Sequence, residues 1–119
     1  MEAANQIKIH IDQVTTQFLP ASVLSAGNSL NLDFVPGRTY EIPVPANAGD
    51  LVSIRTSSRD FADSIMVLLA PDGTPLTGSD DFKFYHAGFD WTAPQTAVYR
   101  LQVTTFESVS TGRMTVSRR

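Results

Sequence analysis

The chain has 119 residues, a net charge of −3, 42% hydrophobic and 18% charged residues, and no cysteine. That length suits one domain able to bury roughly two-thirds of its unfolded surface without covalent staples. The acidic balance argues against a nucleic-acid partner. The missing cysteines exclude disulfides, zinc–thiolate sites and thiol nucleophiles, and no apolar run reaches the ~18 residues of a membrane span.

In chain order, "MEAANQ" lacks the basic start and apolar stretch of a signal peptide, and residues 1–5 read as a tag or linker ahead of one domain over 6–119. "QIKIHID" alternates Ile7, Ile9 and Ile11 with polar residues, the pattern of a half-buried strand. "QVTTQFLPASVL" has room for a short helix, with β-branched threonines and a proline against it. "LNLDF" (Leu30, Leu32, Phe34) and "YEIPV" (Tyr40, Ile42, Val44) resume the period of two. Pro43 and Pro45 place the latter strand at a sheet edge, where a missing amide donor is tolerated.

"LVSI" (Leu51 to Ile54) and "IMVLL" (Ile65 to Leu69) alternate less, as strands covered on both faces do. "YRLQV" (Tyr99, Leu101, Val103) and "MTV" (Met114, Val116) close the series. Turn signals such as "SAGNS", "VPGR", "PANAGD", "PDGTP" and "TGSDD" separate these runs. Short strands so punctuated predict an all-β fold, a single antiparallel β-sandwich. Arg113, Arg118 and Arg119 gather at the C-terminus and read as a solvated tail.

The order of these signals resembles the bacterial pre-peptidase C-terminal domain family, whose fold is a jelly-roll-like β-sandwich. The family's "V-P-A-x-x-G" before an apolar strand is matched by Val44, Pro45, Ala46 and Gly49. Asp63, "IMVLLA" and Pro71-Asp72-Gly73 match its aspartate, Leu-rich strand and "PDG", and Asp80 and Asp81 its acidic loop. "TAVYRLQV" and "TGRMTV" stand where the family has "G-T-Y-x-L-x-V" and "G-x-Y-x-L". Ala97 replaces a usual glycine and Met114 a usual aromatic, so the resemblance is to a divergent member. It covers a core from about 35 to 116; the segment from Ile7 to Leu24 lies outside it. The resemblance implies an accessory module beside the catalytic domain of a secreted bacterial peptidase or other exported protein. Related sandwich domains bind insoluble protein substrates, and some bind calcium.

Three groups of residues are candidate sites. Asp80, Asp81 and Asp72 bring carboxylates together as a hard cation such as Ca²⁺ requires, although Asp and Gly dominate turns for backbone reasons alone. Asp63 reads as a turn cap. "DFKFYHAGFDW" crowds Phe82, Phe84, Tyr85, Phe89 and Trp91 into ten residues. Core packing accounts for one face, and Tyr85, His86 and Trp91 are the candidates for ligand contact. Catalysis finds little support: there are two histidines, no "GxSxG" and no glycine-rich phosphate loop.

The expected function is that of a non-catalytic accessory module at the cell surface or secreted. It would contact a protein or polysaccharide polymer, or present and stabilise a neighbouring catalytic domain in a parent chain. An adhesion or assembly module, and a small hydrolase, are the alternatives. No cofactor is expected beyond Ca²⁺.

Overall fold

The computed structural model describes residues 3–58, 64–79, 88–105 and 112–119. Among the described residues a short helix, α1 (Ala3–Val14), precedes nine strands: β1 (Gln17–Pro20), β2 (Ser29–Phe34), β3 (Arg38–Ala46), β4 (Leu51–Ser58), β5 (Ser64–Leu69), β6 (Pro75–Ser79), β7 (Gly88–Thr92), β8 (Ala97–Thr105) and β9 (Gly112–Arg118). They form a five-stranded sheet in the order β1-β3-β8-β5-β6 and a four-stranded sheet in the order β2-β9-β4-β7. Every pairing is antiparallel except that of β1 with β3. The fold is therefore the expected all-β sandwich.

The period of two decides what lies between the sheets. Ile42 and Val44 of β3, Met66 and Leu68 of β5 and Leu101 and Val103 of β8 meet Phe34, Val52, Ile54, Met114 and Val116 of the other sheet in one buried cluster. The alternating runs "LNLDF", "YEIPV", "YRLQV" and "MTV" are all strands, as expected.

One alternating run is not a strand. Ile7 and Ile11 lie on one face of α1, at 5% and 0% exposure, while Ile9 is 56% exposed. Residues two apart on a helix point nearly opposite ways, and residues four apart share a face. The three isoleucines therefore fit either period until something selects one. The selection comes from β5, whose six residues are all buried. Its inner face joins the main core, while Ile65, Val67 and Leu69 form a second apolar stripe on the outside of the sheet. A helix satisfies its own amides while laying Ile7 and Ile11 on that stripe. The non-alternating "IMVLL" thus does mark a strand covered on both sides.

Part of "QVTTQFLPASVL" forms β1 rather than a helix. It runs beside Arg38–Glu41 of β3, with Gln17 opposite Arg38 and Pro20 opposite Glu41. Beyond it the chain keeps following the edge: the Ala21 amide donates to the Glu41 carbonyl and the Leu24 amide to the Pro43 carbonyl, at 3.0 and 2.9 Å. The backbone groups of Glu41 and Pro43 thus face away from β8. A proline there gives up no bond in the β3–β8 ladder, but the expectation that Pro43 and Pro45 place this strand at a sheet edge does not hold, since β3 lies between β1 and β8.

The solvated-tail reading fits Arg113 and Arg119, which are exposed, but not Arg118. Arg118 is the last residue of β9 and is 5% exposed, because it shares the inward face of Met114 and Val116.

Candidate functional site

On the outer face of the five-stranded sheet α1 packs against β5 and β6, and Thr39, Gln102 and Thr104 are buried as well, but the part of the face around Pro43, Val98 and Arg100 stays accessible. On this face the β3–β8 register sets Pro43 opposite Arg100 and Pro45 opposite Val98. Phe18 and Pro20 of β1 and its exit form the opposite wall. Phe18, Pro20, Glu41, Pro43, Val98 and Arg100 line a shallow groove of about 380 Å³. Its walls carry large apolar side chains in contact with water: Phe18 is 47% exposed and Val98 54%.

A polar network fixes the groove along its helix side. The Arg100 guanidinium donates from Nε and Nη2 to the two oxygens of Glu41, at 3.0 and 2.9 Å, a bidentate pair. Gln102 Nε2 donates to the same carboxylate at 3.0 Å. Lys8 of α1 donates to Gln102 Oε1 at 3.0 Å and to Asp12 at 2.6 Å, and its ammonium stands 5.6 Å from the centre of the Phe18 ring. The Arg100 hydrogen bonds hold the Glu41 carboxyl below its ordinary range, against the opposing effect of burial. The same bonds raise Arg100. The charges are thus paired. The groove offers an apolar floor with a fixed polar border.

The sequence-derived candidates fall elsewhere. Asp80, Asp81, Tyr85 and His86 lie outside the described residues, as does Asp63. Asp72 is exposed in the turn between β5 and β6, where its Oδ1 accepts the Thr74 amide at 3.0 Å. That bond lowers its carboxyl pKa and identifies an Asx turn. Gly73 follows with φ of 94°, a conformation that glycine adopts freely. Among the described residues no three His, Asp or Glu side chains gather closely enough to hold a metal ion. Trp91 is half-buried on β7 and shares the inward face of Phe89. Its ring meets Tyr99 edge-on, with centroids 5.0 Å apart at 81°, against the main core.

One polar cluster on the four-stranded sheet could suggest chemistry. Ser53 Oγ donates to Asp90 Oδ1 at 2.5 Å, and Arg55 Nη2 lies 3.1 Å from the same oxygen. The serine bond, with Arg55 beside it, lowers the Asp90 carboxyl pKa. A carboxylate so stabilised is a poor base for a serine hydroxyl. His10 sits on α1, over the other sheet. The cluster is a cross-strand pairing of β4 with β7, where Ser53 stands opposite Asp90.

Phe18, Glu41, Pro43, Val98 and Arg100 were not among the sequence candidates. Their signal was present in the polar half of the alternation. Once "YEIPV" and "YRLQV" are strands, Glu41, Pro43, Val98 and Arg100 must share the outer face. What the sequence did not show was that β3 and β8 are neighbours.

No protein-family model and no curated protein sequence matches the chain. Solved structures do. The pre-peptidase C-terminal domain of a collagenase from Bacillus anthracis aligns with a TM-score of 0.69 at 11% identity, over 87% of this chain and 95% of that one. PliG of Aeromonas hydrophila, a periplasmic inhibitor of g-type lysozyme, aligns at 0.61 and 14% identity, over 87% of this chain and 100% of that one. CorA, a surface-associated copper-binding protein important in copper acquisition by Methylomicrobium album BG8, aligns at 0.65 and 7% identity, over 86% and 98%. At these identities the likeness is one of fold. The chain has the sandwich that the pre-peptidase C-terminal domain has.

Proposed function

We propose that this protein is a non-catalytic binding module, an accessory domain of a larger exported bacterial protein and a divergent relative of the pre-peptidase C-terminal domains. It contacts a polymeric protein through the groove between β1, β3 and β8. The observation that carries this reading is the groove itself: exposed Phe18 and Val98 beside Pro43, bordered by the hydrogen-bonded Glu41–Arg100 pair. Apolar surface with a fixed polar border is what a binding face needs, since burial drives association and pre-ordered side chains lower its entropic cost.

The structural neighbours support the same class. They are a domain of a collagenase, a lysozyme inhibitor and a surface-associated copper-binding protein. The periplasmic and surface locations of the last two fit an exported protein. The Ser53–Asp90 pair brings a hydroxyl to a carboxylate, and its electrostatics oppose a nucleophile-and-base role.

The test is co-sedimentation of the purified protein with insoluble collagen, elastin, cellulose and chitin. Retention on a protein polymer without release of soluble fragments is the expected outcome. Retention on none of them, or turnover of one, would overturn the reading.

The calcium reading of Asp80 and Asp81 is a separate proposal that rests on sequence. A site filled to about a hundred times its Kd stabilises by ~2.7 kcal/mol. Thermal melts in EDTA and in millimolar Ca²⁺ should then differ clearly in the wild type and coincide in an Asp80→Ala/Asp81→Ala variant. Equal melts in the wild type would assign these aspartates to turn chemistry.

A further inference from the structure

Arg118 does more than end the last strand. Its Nη1 donates to the carbonyl oxygens of Leu24 and Pro45, at 3.0 and 2.7 Å. The guanidinium therefore ties the end of β9 to the edge of the opposite sheet. Its backbone is held as firmly, accepting from the Gly27 amide and donating to the Asn28 carbonyl at 2.8 and 2.9 Å. Those bonds explain a structural clamp. They do not explain the rest of the group.

Among the described residues no carboxylate lies within ion-pair distance of Arg118, and its Nε is buried without a hydrogen-bond partner. Burial depresses its pKa, with a partial offset from the Asp50 charge. A guanidinium stays charged all the same, and a buried cation without a paired anion is costly. The same side chain lines a cavity of about 190 Å³ at this end of the sandwich, with Ser25, Pro45, Asn47 and Asp50. With Nη1 committed to the two carbonyls, Nε and Nη2 have no acceptor among the described residues. A guanidinium pairs with a planar two-oxygen anion.

We propose that this cavity is a binding site for a carboxylate group, paired with the Arg118 guanidinium and contacted by the rim at Ser25 and Asn47. Two features set the class. The cavity admits a small group. Asp50, at its rim, repels a second negative charge, which selects a monoanion over phosphate or sulfate. A chain-terminal carboxylate and an Asp or Glu side chain of a partner are the sources that share this chemistry. The proposal is independent of the groove, which is lined by other residues.

The experiment is an NMR titration of the ¹⁵N-labelled protein at constant ionic strength with acetate, N-acetylglycine, N-acetylaspartic acid amide and inorganic phosphate. A saturable shift of the Arg118 Nε–H and of the Ser25 and Asn47 amides is expected with the carboxylates. Comparison of the glycine and aspartate derivatives separates a terminal from a side-chain source. Phosphate should bind more weakly than acetate; equal or tighter binding overturns the monoanion assignment.

Asp50→Asn keeps an oxygen to accept the Asn47 amide and removes the repelling charge, so acetate should bind severalfold tighter. Arg118→Lys should weaken acetate by about tenfold or more, the worth of one charge-assisted hydrogen bond. If that variant does not fold, Asp50→Asn decides the matter alone. A clamp with no ligand predicts no saturable shift in the wild type or in Asp50→Asn, and that result overturns the proposal.

Discussion

Glu41 organises the border of the groove through one carboxylate that accepts three hydrogen bonds, two from Arg100 and one from Gln102. Those bonds lower its folded-state pKa below the ordinary 4.5. A depressed carboxyl stabilises the fold above its unfolded pKa, and the contribution is lost as pH falls through the lower folded value. Melting temperature followed from about pH 7 to about pH 3 should therefore fall less steeply for Glu41→Gln than for the wild type at the acid end. Parallel curves would mean that the network adds nothing. Gly37 makes a second residue-scale case. Its φ is 84°, its carbonyl accepts the Thr16 and Gln17 amides, and an added Cβ would collide with the Thr16 side chain. Gly37→Ala should cost about 1 kcal/mol or more by chemical denaturation, whereas an unstrained glycine-to-alanine change is stabilising. "VPGR" announced this turn in the sequence. The period of two through Met114 and Val116 placed Arg118 on the inward face, but a single Arg at a strand end looks the same in sequence whether it meets water or the opposite sheet.

At the scale of elements, α1 and β5 form one decision. The strand reading of "QIKIHID" requires Ile7, Ile9 and Ile11 to share a face, while the helix separates Ile9 from the other two. Ile11→Ala should cost about 2–5 kcal/mol and Ile9→Ala within about 0.5 kcal/mol of nothing, read from urea unfolding. Comparable losses at both positions would favour the strand. The strands with clean alternation were legible because one face of each meets the core and the other meets water. The helix was not, because three isoleucines spaced by two satisfy both periods. The choice depends on an apolar stripe, Ile65, Val67 and Leu69, more than fifty residues away in the chain. The same stripe made "IMVLL" non-alternating, so the two anomalies in the sequence share one physical cause.

At the scale of the whole molecule, turn spacing and strand period predicted the sandwich. The groove depends on sheet order, which neither reveals. β1 runs along one side of β3 and β8 along the other, and the outer face they share is buried at Thr39, Gln102 and Thr104 but accessible at Pro43 and Val98. An open apolar strip beside a covered one results, and the proposed function rests on it. The sequence candidates came from composition, which detects aromatic crowding and paired aspartates but not which exposed side chains share a surface. Trp91 shows the difference: its ring serves the core through Tyr99.

The most direct measurement compares Val98→Asp with Leu51→Asp in co-sedimentation with the polymer that retains the wild type. Both residues are exposed apolar side chains, at 54% and 62%, but Val98 lies in the groove and Leu51 on the other sheet. Loss of retention for Val98→Asp alone, with both variants melting like the wild type, is the result this account predicts. Equal retention of the two variants would contradict it.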